Sequence, residues 1–239
     1  MVAIKLTCQI RQKLYSHTQE PMFEIQFPFG EKYDSQILTC GLVLPPNQAA
    51  AAIELHHEIS RQSKHPLKFH LSQKNHPPFV RLYETVLPSK NLPAAMDRLK
   101  SISELMSPFH MEWGEIETTH HMVIVWGESN QIIQTFQEAV LVAVNPLREG
   151  DYKQKYQRER EAHLFTPDQE KSLEKWGSPW ADPYVPHMVL AKAHPDFGGE
   201  RKSWEWVFQK TEFSGLFVAT RAGEEDFNHW EVIPFLQKA

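Results

Sequence analysis

Two short segments in opposite halves of the chain share one pattern of hydrophobic and polar positions. Both begin with proline, continue with an aromatic ring and an apolar residue, and end in leucine: PFVRL at 78–82 and PHMVL at 186–190. Proline is tolerated at the start of a strand, and successive side chains of a strand point to opposite faces. The pattern predicts two strands that lie side by side and direct four side chains toward one space: Phe79, Arg81, His187 and Val189.

The rest of the chain alternates between strand-like and helix-like spacing of apolar residues. Strands are predicted at 36–44, 67–73, 109–117, 120–127, 204–213, 215–220 and 229–235. Helices are predicted at 48–62 behind an Asn47 N-cap, at 92–106, at 130–144, and up to Trp176 behind a Thr166 N-cap. Regular strand–helix–strand spacing is missing from this order. We therefore expect an α+β fold of mainly antiparallel sheets, and the doubled pattern indicates two pseudo-repeated lobes.

No linker divides the sequence, so a single domain over 1–239 is predicted, with 1–35 as an N-terminal arm or edge strand. Residues 148–163 are dense in charges of both signs. Such alternation is typical of a solvated loop or an exposed helix rather than a tail that binds nucleic acid.

Composition narrows the class of protein. A net charge of −5 argues against a protein that binds duplex DNA non-specifically, although it leaves room for a pocket that holds one phosphate. The absence of a long apolar run argues against membrane association. Cys8 and Cys40 are too few for a disulfide framework, which favours a cytoplasmic location.

Histidines are frequent, yet their spacing does not predict a metal site. His120 and His121 point to opposite faces of a strand, and His56 and His57 diverge on a helix. Ligand spacings such as H-x-x-x-H or C-x-x-C are missing, as are the glycine-rich phosphate loops. We therefore expect neither a metal nor a cofactor, and the sequence does not indicate a protein partner.

Five segments together resemble the 2H phosphoesterase superfamily, which includes 2′-5′ RNA ligase-like proteins and cyclic phosphodiesterases. They are GLVLPP, PPFVRLYETVLPSKNL, the pair FHMEWGEIE and HMVIVWG, PHMVLAK, and FSGLFVATRAGEEDFNHWEVIPFL, and they extend over about residues 36–237. The resemblance implies two lobes around a central cleft with helices on the outside. It also implies a pair of H-x-[ST] motifs, in which one histidine takes a proton, the other donates one, and the hydroxyls hold the phosphate.

This sequence departs from that pair of motifs. His187 falls on the histidine of the second motif, but Val189 stands at the hydroxyl position. In the first motif Phe79 stands at the histidine and Arg81 at the hydroxyl. An alternative register places His70 and Ser72 on the first motif. The Phe79 register is preferred because it keeps the preceding prolines and the usual short distance to the next helix.

Two functions remain open at this point. In the first, the cleft binds a phosphorylated nucleotide or RNA end with weakened or lost catalysis: Phe79 stacks on a base, Arg81 grips the phosphate, and Tyr83 and Lys192 lie within reach of it. The blander readings are core filling by Phe79, an ion pair of Arg81 with a carboxylate, and a buried structural role for His187. In the second function, the protein is an active phosphodiesterase for 2′,3′-cyclic or 2′-5′ bonds. His187 is then the acid or base, and its partner is His70 or His76.

Overall fold

The computed structural model describes residues 34–118, 121–193, 204–222 and 227–236. Eight strands in these ranges form two antiparallel four-stranded sheets, ordered β2-β1-β7-β8 and β5-β4-β3-β6. The strands are β1 (Ser35–Val43), β2 (Phe79–Pro88), β3 (Phe109–Thr118), β4 (Met122–Gly127), β5 (His187–Lys192), β6 (Lys210–Phe213), β7 (Gly215–Arg221) and β8 (His229–Pro234). The predicted α+β fold with antiparallel sheets and two lobes is confirmed.

Five α-helices in the same ranges lie outside the sheets. They are α1 (Pro46–Gln62), α2 (Leu92–Ser103), α3 (Gln131–Val144), α4 (Gln154–Glu161) and α5 (Pro167–Trp176). The predicted cap of α5 is present, because the Thr166 side chain accepts from the backbone N–H of Gln169 and the Gln169 side chain reciprocates. No helix in the described part of the chain is long and apolar enough to cross a membrane.

The two strands that share the PFVRL and PHMVL pattern meet at the junction of the sheets. β2 ends the order of the first sheet and β5 ends the order of the second, and the two strands pack against each other. The Tyr184 hydroxyl, just before β5, donates to the backbone carbonyl of Arg81 over 2.9 Å. The predicted proximity of the two strands is confirmed, although they belong to different sheets.

The alternation of side chains along these strands is also as predicted. Val80, Leu82, Met188 and Leu190 are buried in the main hydrophobic core, whereas the residues between them are half-buried. The period of two therefore assigned the faces correctly.

Several predicted elements differ in the structure. The strand predicted at 67–73 forms only isolated bridges, Leu67 with Ala193 and Ser72 with His76. A side chain also holds its backbone, because Leu71 N–H donates to Nε2 of His56 at 3.4 Å. The strand predicted at 204–213 begins only at Lys210. Trp206, which precedes it, packs against Trp113 with the rings 5.6 Å apart.

Three further predictions concern the start of α1, the charged stretch 148–163 and the N-terminal arm. Helix α1 starts at Pro46 without a side-chain cap, so the Asn47 cap was wrong; proline at the first position fixes the helical φ angle instead. The charged stretch 148–163 does contain the exposed helix α4, but Arg148 and Lys153 in it are buried. The arm predicted at 1–35 lies almost wholly outside the described residues.

Gly41 on β1 makes room for the ring of Phe79 on the neighbouring strand. A Cβ atom at this position would lie 2.6 Å from Cδ2 of Phe79 and 2.7 Å from the carbonyl oxygen of Val80. We expect Gly41→Ala to lower the free energy of unfolding by about 1–3 kcal/mol, since overpacking forces backbone or ring to shift. Chemical denaturation measures it. Gly114→Ala on β3 is the matched control, because the nearest atom there lies 3.6 Å away; equal effects of both changes would contradict the prediction.

Candidate functional site

His187 opens β5 and faces the other sheet. The Val185 carbonyl lies 2.9 Å from its Nδ1, and since a carbonyl only accepts, this nitrogen carries the proton and Nε2 is left as an acceptor. Burial, followed by the positive charge of Arg81, lowers the pKa of His187 to about 4, against the opposing effect of the Val185 hydrogen bond. His187 is therefore neutral at pH 7.

His76 lies just before β2, with its ring 6.2 Å from that of Phe79. Its ring is stacked between Phe69 at 4.8 Å and Phe227 at 4.7 Å. Burial, followed by the charges of Arg221 and Arg81, lowers the pKa of His76 to about 4, while Glu84 acts in the opposite direction. Both histidines whose pKa is lowered by Arg81 are therefore neutral at pH 7. Two neutral histidines can each accept a proton, but neither is the protonated acid that a 2H mechanism requires.

Arg81 is the central cation of the site. It is the most exposed member of its ion pairs, with 36% of the side chain accessible. Its Nη1 lies 3.7 Å from Oε1 of Glu84, an ion pair too long for a hydrogen bond. Its buried Nε has no hydrogen-bond partner in the described ranges. The partly exposed guanidinium is therefore paired only loosely with the carboxylate of Glu84.

An irregularity in strand pairing puts Arg81 and Glu84 on one face of the sheet. The β1–β2 register shifts between Cys40 and Gly41, so that Thr39 pairs with Glu84 and Gly41 pairs with Arg81. One extra residue on β2 thus brings two side chains three positions apart to the same side. Without this bulge, alternation would separate the two charges.

Glu84 is buried at the centre of a charged cluster. Its carboxylate accepts hydrogen bonds from Lys153, from Arg221 and, at 3.1 Å, from the Thr39 hydroxyl. Burial alone would raise the pKa of Glu84, but Lys153, Arg81 and Arg221 together hold it well below its usual value. The carboxylate is therefore ionised at any physiological pH. We call Arg81, Glu84, Lys153 and Arg221 the charge cluster.

Lys153 reaches the charge cluster through an ordered loop. The guanidinium of Arg148 donates to the Asn145 side chain at 2.8 Å, to the Asp151 carbonyl at 2.8 Å and to the Glu174 carbonyl at 3.0 Å. These bonds tie the end of α3 to α5 and fix the backbone two residues before Lys153. Arg148 thus positions the loop from which Lys153 extends to Glu84.

The remaining predicted site residues lie in several places. Phe79 stacks on Phe217 at 4.8 Å, which corresponds to the core-filling reading of this ring. The Tyr83 hydroxyl donates to the Trp176 carbonyl. Val189 pairs with Ile124, and Lys192 ends β5 opposite Met122.

His70 and Ser72 belong to the segment between α1 and β2. His70 is exposed, with its ring 5.8 Å from that of His56 on α1, and His56 in turn contacts the Leu190 carbonyl. The Ser72 hydroxyl accepts from the backbone N–H of Asn75 at 3.0 Å and closes a turn. The structure thus brings His76, Phe79, Arg81 and His187 together. From the His70 register, Ser72 reaches this group, because its hydroxyl also accepts from the backbone N–H of His76 at 3.3 Å and the two residues form an isolated bridge.

Four residues of the site were missed in the sequence: Glu84, Lys153, Arg221 and Trp126. Lys153 and Arg221 lie far from Glu84 along the chain, and no local pattern marks them. Trp126 pairs with His187 in register, with the two rings 5.5 Å apart, and its indole N–H donates to Glu117 at 2.8 Å. The strand partner of His187 could have been sought in the predicted strand 120–127. In the described ranges, no group of three or more residues could hold a metal ion.

Comparison with solved structures shows the fold. The structure is similar to Escherichia coli LigT complexed with 3′-AMP, with a TM-score of 0.50 and 9% identity over 85% of this chain and 99% of LigT. It also matches Kluyveromyces marxianus Usb1, with a TM-score of 0.44 and 9% identity over 84% of this chain and 98% of Usb1. The curated proteins contain no match. The expected resemblance to the 2H phosphoesterases is thus confirmed at the level of the fold.

A family match covers more than half of the chain. Residues 77–211 match the family described as "Protein of unknown function (DUF1045)". The matched segment begins just before β2 and includes Arg81, Glu84, Lys153 and His187, while Arg221 lies beyond it. The chain belongs to the DUF1045 family and has the fold of the 2H phosphoesterases.

Proposed function

We propose that the protein binds the phosphate group of a nucleotide or RNA end at Arg81, and that turnover by the 2H mechanism is weak or lost. The observation that carries this proposal is the placement of Arg81 beside His187, with a partly exposed guanidinium in front of buried charges. A guanidinium binds phosphate in a bidentate manner and stays charged at every physiological pH. The site has a cation to hold a phosphate and, at pH 7, no protonated histidine to break its ester bond.

The related fold supports the class of ligand. LigT has been solved in complex with 3′-AMP, a nucleoside monophosphate. In this chain two aromatic residues, Phe79 and Trp126, are candidates to stack on the base of such a ligand. Phe79 packs on Phe217 and lies 5.8 Å from Phe227, whereas Trp126 is half-buried beside His187. Stacking of the base on Trp126 leaves the Phe79 packing intact, so we assign the base to Trp126.

Replacement of Arg81 by glutamine tests the proposal. We expect Arg81→Gln to weaken binding of adenosine 3′-monophosphate by at least about 30-fold, because a bidentate charge-assisted contact is lost. Isothermal titration calorimetry at pH 7.5 measures it. Arg61→Gln, an exposed position at the end of α1, is the control and should bind like the wild type. Equal affinity of Arg81→Gln and wild type, or no binding by the wild type, would overturn the proposal.

The active phosphodiesterase is a second candidate because the charge of Arg81 acts on two histidines, His76 and His187. The ring of His76 lies 6.2 Å from that of Phe79 on β2, whereas His70 is exposed beside α1. We therefore take His76 as the partner of His187. The activity is then confined to acidic pH, where one of the two histidines becomes protonated.

A further inference from the structure

We propose that the site prefers guanine among the four RNA bases, because the carboxylate of Glu117 lies at the edge of the Trp126 ring. The inference rests on the proposed function, which assigns the base of the ligand to Trp126. It is carried by one hydrogen bond, in which the indole N–H of Trp126 donates to Oε2 of Glu117 over 2.8 Å. An indole has a single N–H donor, and it lies in the plane of the ring. The bond therefore holds the carboxylate beside the surface on which the base stacks.

Three neighbouring strands place His187, Trp126 and Glu117 in a row. His187 on β5 pairs with Trp126 on β4, and Glu117 on β3 pairs with Ile124, which lies two residues before Trp126 on the same face of β4. Strand β4 lies between β5 and β3 in the sheet. The carboxylate is therefore on the side of Trp126 away from His187. A nucleotide that extends from His187 across Trp126 reaches Glu117 with its base.

Both Trp126 and Glu117 are accessible to a ligand. Trp126 is half-buried and Glu117 is exposed. Next to Trp126 on β3 stands Gly114, where an added Cβ atom would lie 4.0 Å from Cβ of Trp126, so position 114 contributes no side chain that covers the ring. Within the described ranges, the Glu117 carboxylate makes no ion pair and no hydrogen bond besides the one from Trp126. Its Oε1 and the second lone pair of Oε2 are therefore left as acceptors.

A carboxylate distinguishes bases by the donors that they present. An ionised carboxylate accepts hydrogen bonds and donates none. Of the four RNA bases, guanine alone has two adjacent donors on its Watson–Crick edge, N1–H and the N2 amino group. Adenine and cytosine place a ring nitrogen acceptor beside their amino group, and uracil places N3–H between two carbonyl oxygens. Guanine can therefore form two parallel hydrogen bonds with Glu117, whereas every other base turns at least one acceptor toward the carboxylate.

Calorimetry at pH 7.5 with the 3′-monophosphates of guanosine, inosine and adenosine tests the inference. We expect the wild-type protein to bind the guanosine nucleotide about tenfold more tightly than the adenosine nucleotide, with inosine, which lacks the N2 amino group, in between. In Glu117→Gln the amide oxygen remains the acceptor for Trp126, so the amide N–H groups face the base. The preference for guanosine should then fall to about twofold or less.

Glu112→Gln is the matched control for Glu117→Gln. Glu112 is exposed on the same strand, has no hydrogen bond to Trp126, and its replacement removes the same charge. This variant should keep the tenfold preference of the wild type. Binding of the adenosine nucleotide by Glu117→Gln with the affinity of the wild type shows that this variant is folded.

The outcomes separate this inference from the proposed function. Equal affinities of the wild type for the guanosine and adenosine nucleotides would refute the guanine preference while leaving phosphate binding in place. A preference that Glu117→Gln retains would also refute it, because stacking rather than hydrogen bonding would then distinguish the bases. So would an equal loss of preference in Glu112→Gln, which would make net charge the cause. If none of the three nucleotides binds to the wild type, the proposed function itself fails.

Discussion

Replacement of Glu84 by glutamine is expected to lower the free energy of unfolding by about 3–5 kcal/mol. The change leaves Lys153 and Arg221 buried with their partner removed, and breaking one side of a buried ion pair has this cost. Urea denaturation followed by circular dichroism measures it. Glu149→Gln is the matched control, because its ion pair with Lys90 at 3.0 Å is exposed and solvent screens such pairs, so that they contribute little to stability.

The loss of stability in Glu84→Gln should also depend on pH. The pKa of Glu84 is depressed in the folded protein, so its stabilisation is present above the ordinary glutamate pKa of about 4.3 and is lost as pH falls through the folded value. The stability difference between wild type and Glu84→Gln should therefore narrow below about pH 4.3. A difference below 1 kcal/mol at pH 7, or one that grows on acidification, would show that Glu84 does not hold the cluster.

Hydrolysis of 2′,3′-cyclic nucleotides is expected to be slow at pH 7 and to rise about 100-fold in kcat/KM between pH 7 and pH 5. The 2H mechanism needs one protonated and one neutral histidine, and kcat/KM reports the pKa values of the free enzyme. With the pKa of both His76 and His187 lowered to about 4, the protonated fraction grows about tenfold for each unit of acidification in this range.

Two histidine variants test whether the rise at acidic pH depends on His187. His187→Ala should remove this rise, whereas His110→Asn, at an exposed position on β3 paired with Glu212, should keep it. A rate maximum near pH 7 that depends on His187 would contradict the proposed loss of the acid. It would instead favour the active phosphodiesterase.

The strands that form the site could be predicted, but the charges in it could not. Alternation along β2 and β5 assigned Phe79, Arg81, His187 and Val189 to the half-buried face, because that pattern is local and has a period of two. The partners of Glu84 arise from tertiary packing. Lys153 stood in a stretch predicted to be solvated because charges of both signs alternate there, yet its loop folds inward.

The bulge on β2 and the position of Gly41 show a second limit of prediction from local sequence patterns. One inserted residue on β2 decides that Arg81 and Glu84 share a face, and nothing in the run of residues from 79 to 88 marks where the pairing shifts. The place of Phe79 depends on Gly41, which belongs to another strand. The sequence therefore predicted the strands and the departure from H-x-[ST]. The roles of Phe79 and Arg81, which replace the motif residues, could be determined only from the residues that surround them in the structure.

The charge cluster has a consequence for how the chain acquires its native state. Glu84 lies 45 residues from Thr39, 69 from Lys153 and 137 from Arg221 along the chain. Contacts of such high sequence separation are slow to form, because long loops must close first. During synthesis, Glu84 and Lys153 emerge well before β7 delivers Arg221. A nascent chain or a fragment that ends before β7 lacks the Arg221 partner of Glu84, so the charge cluster is complete only once β7 has been added.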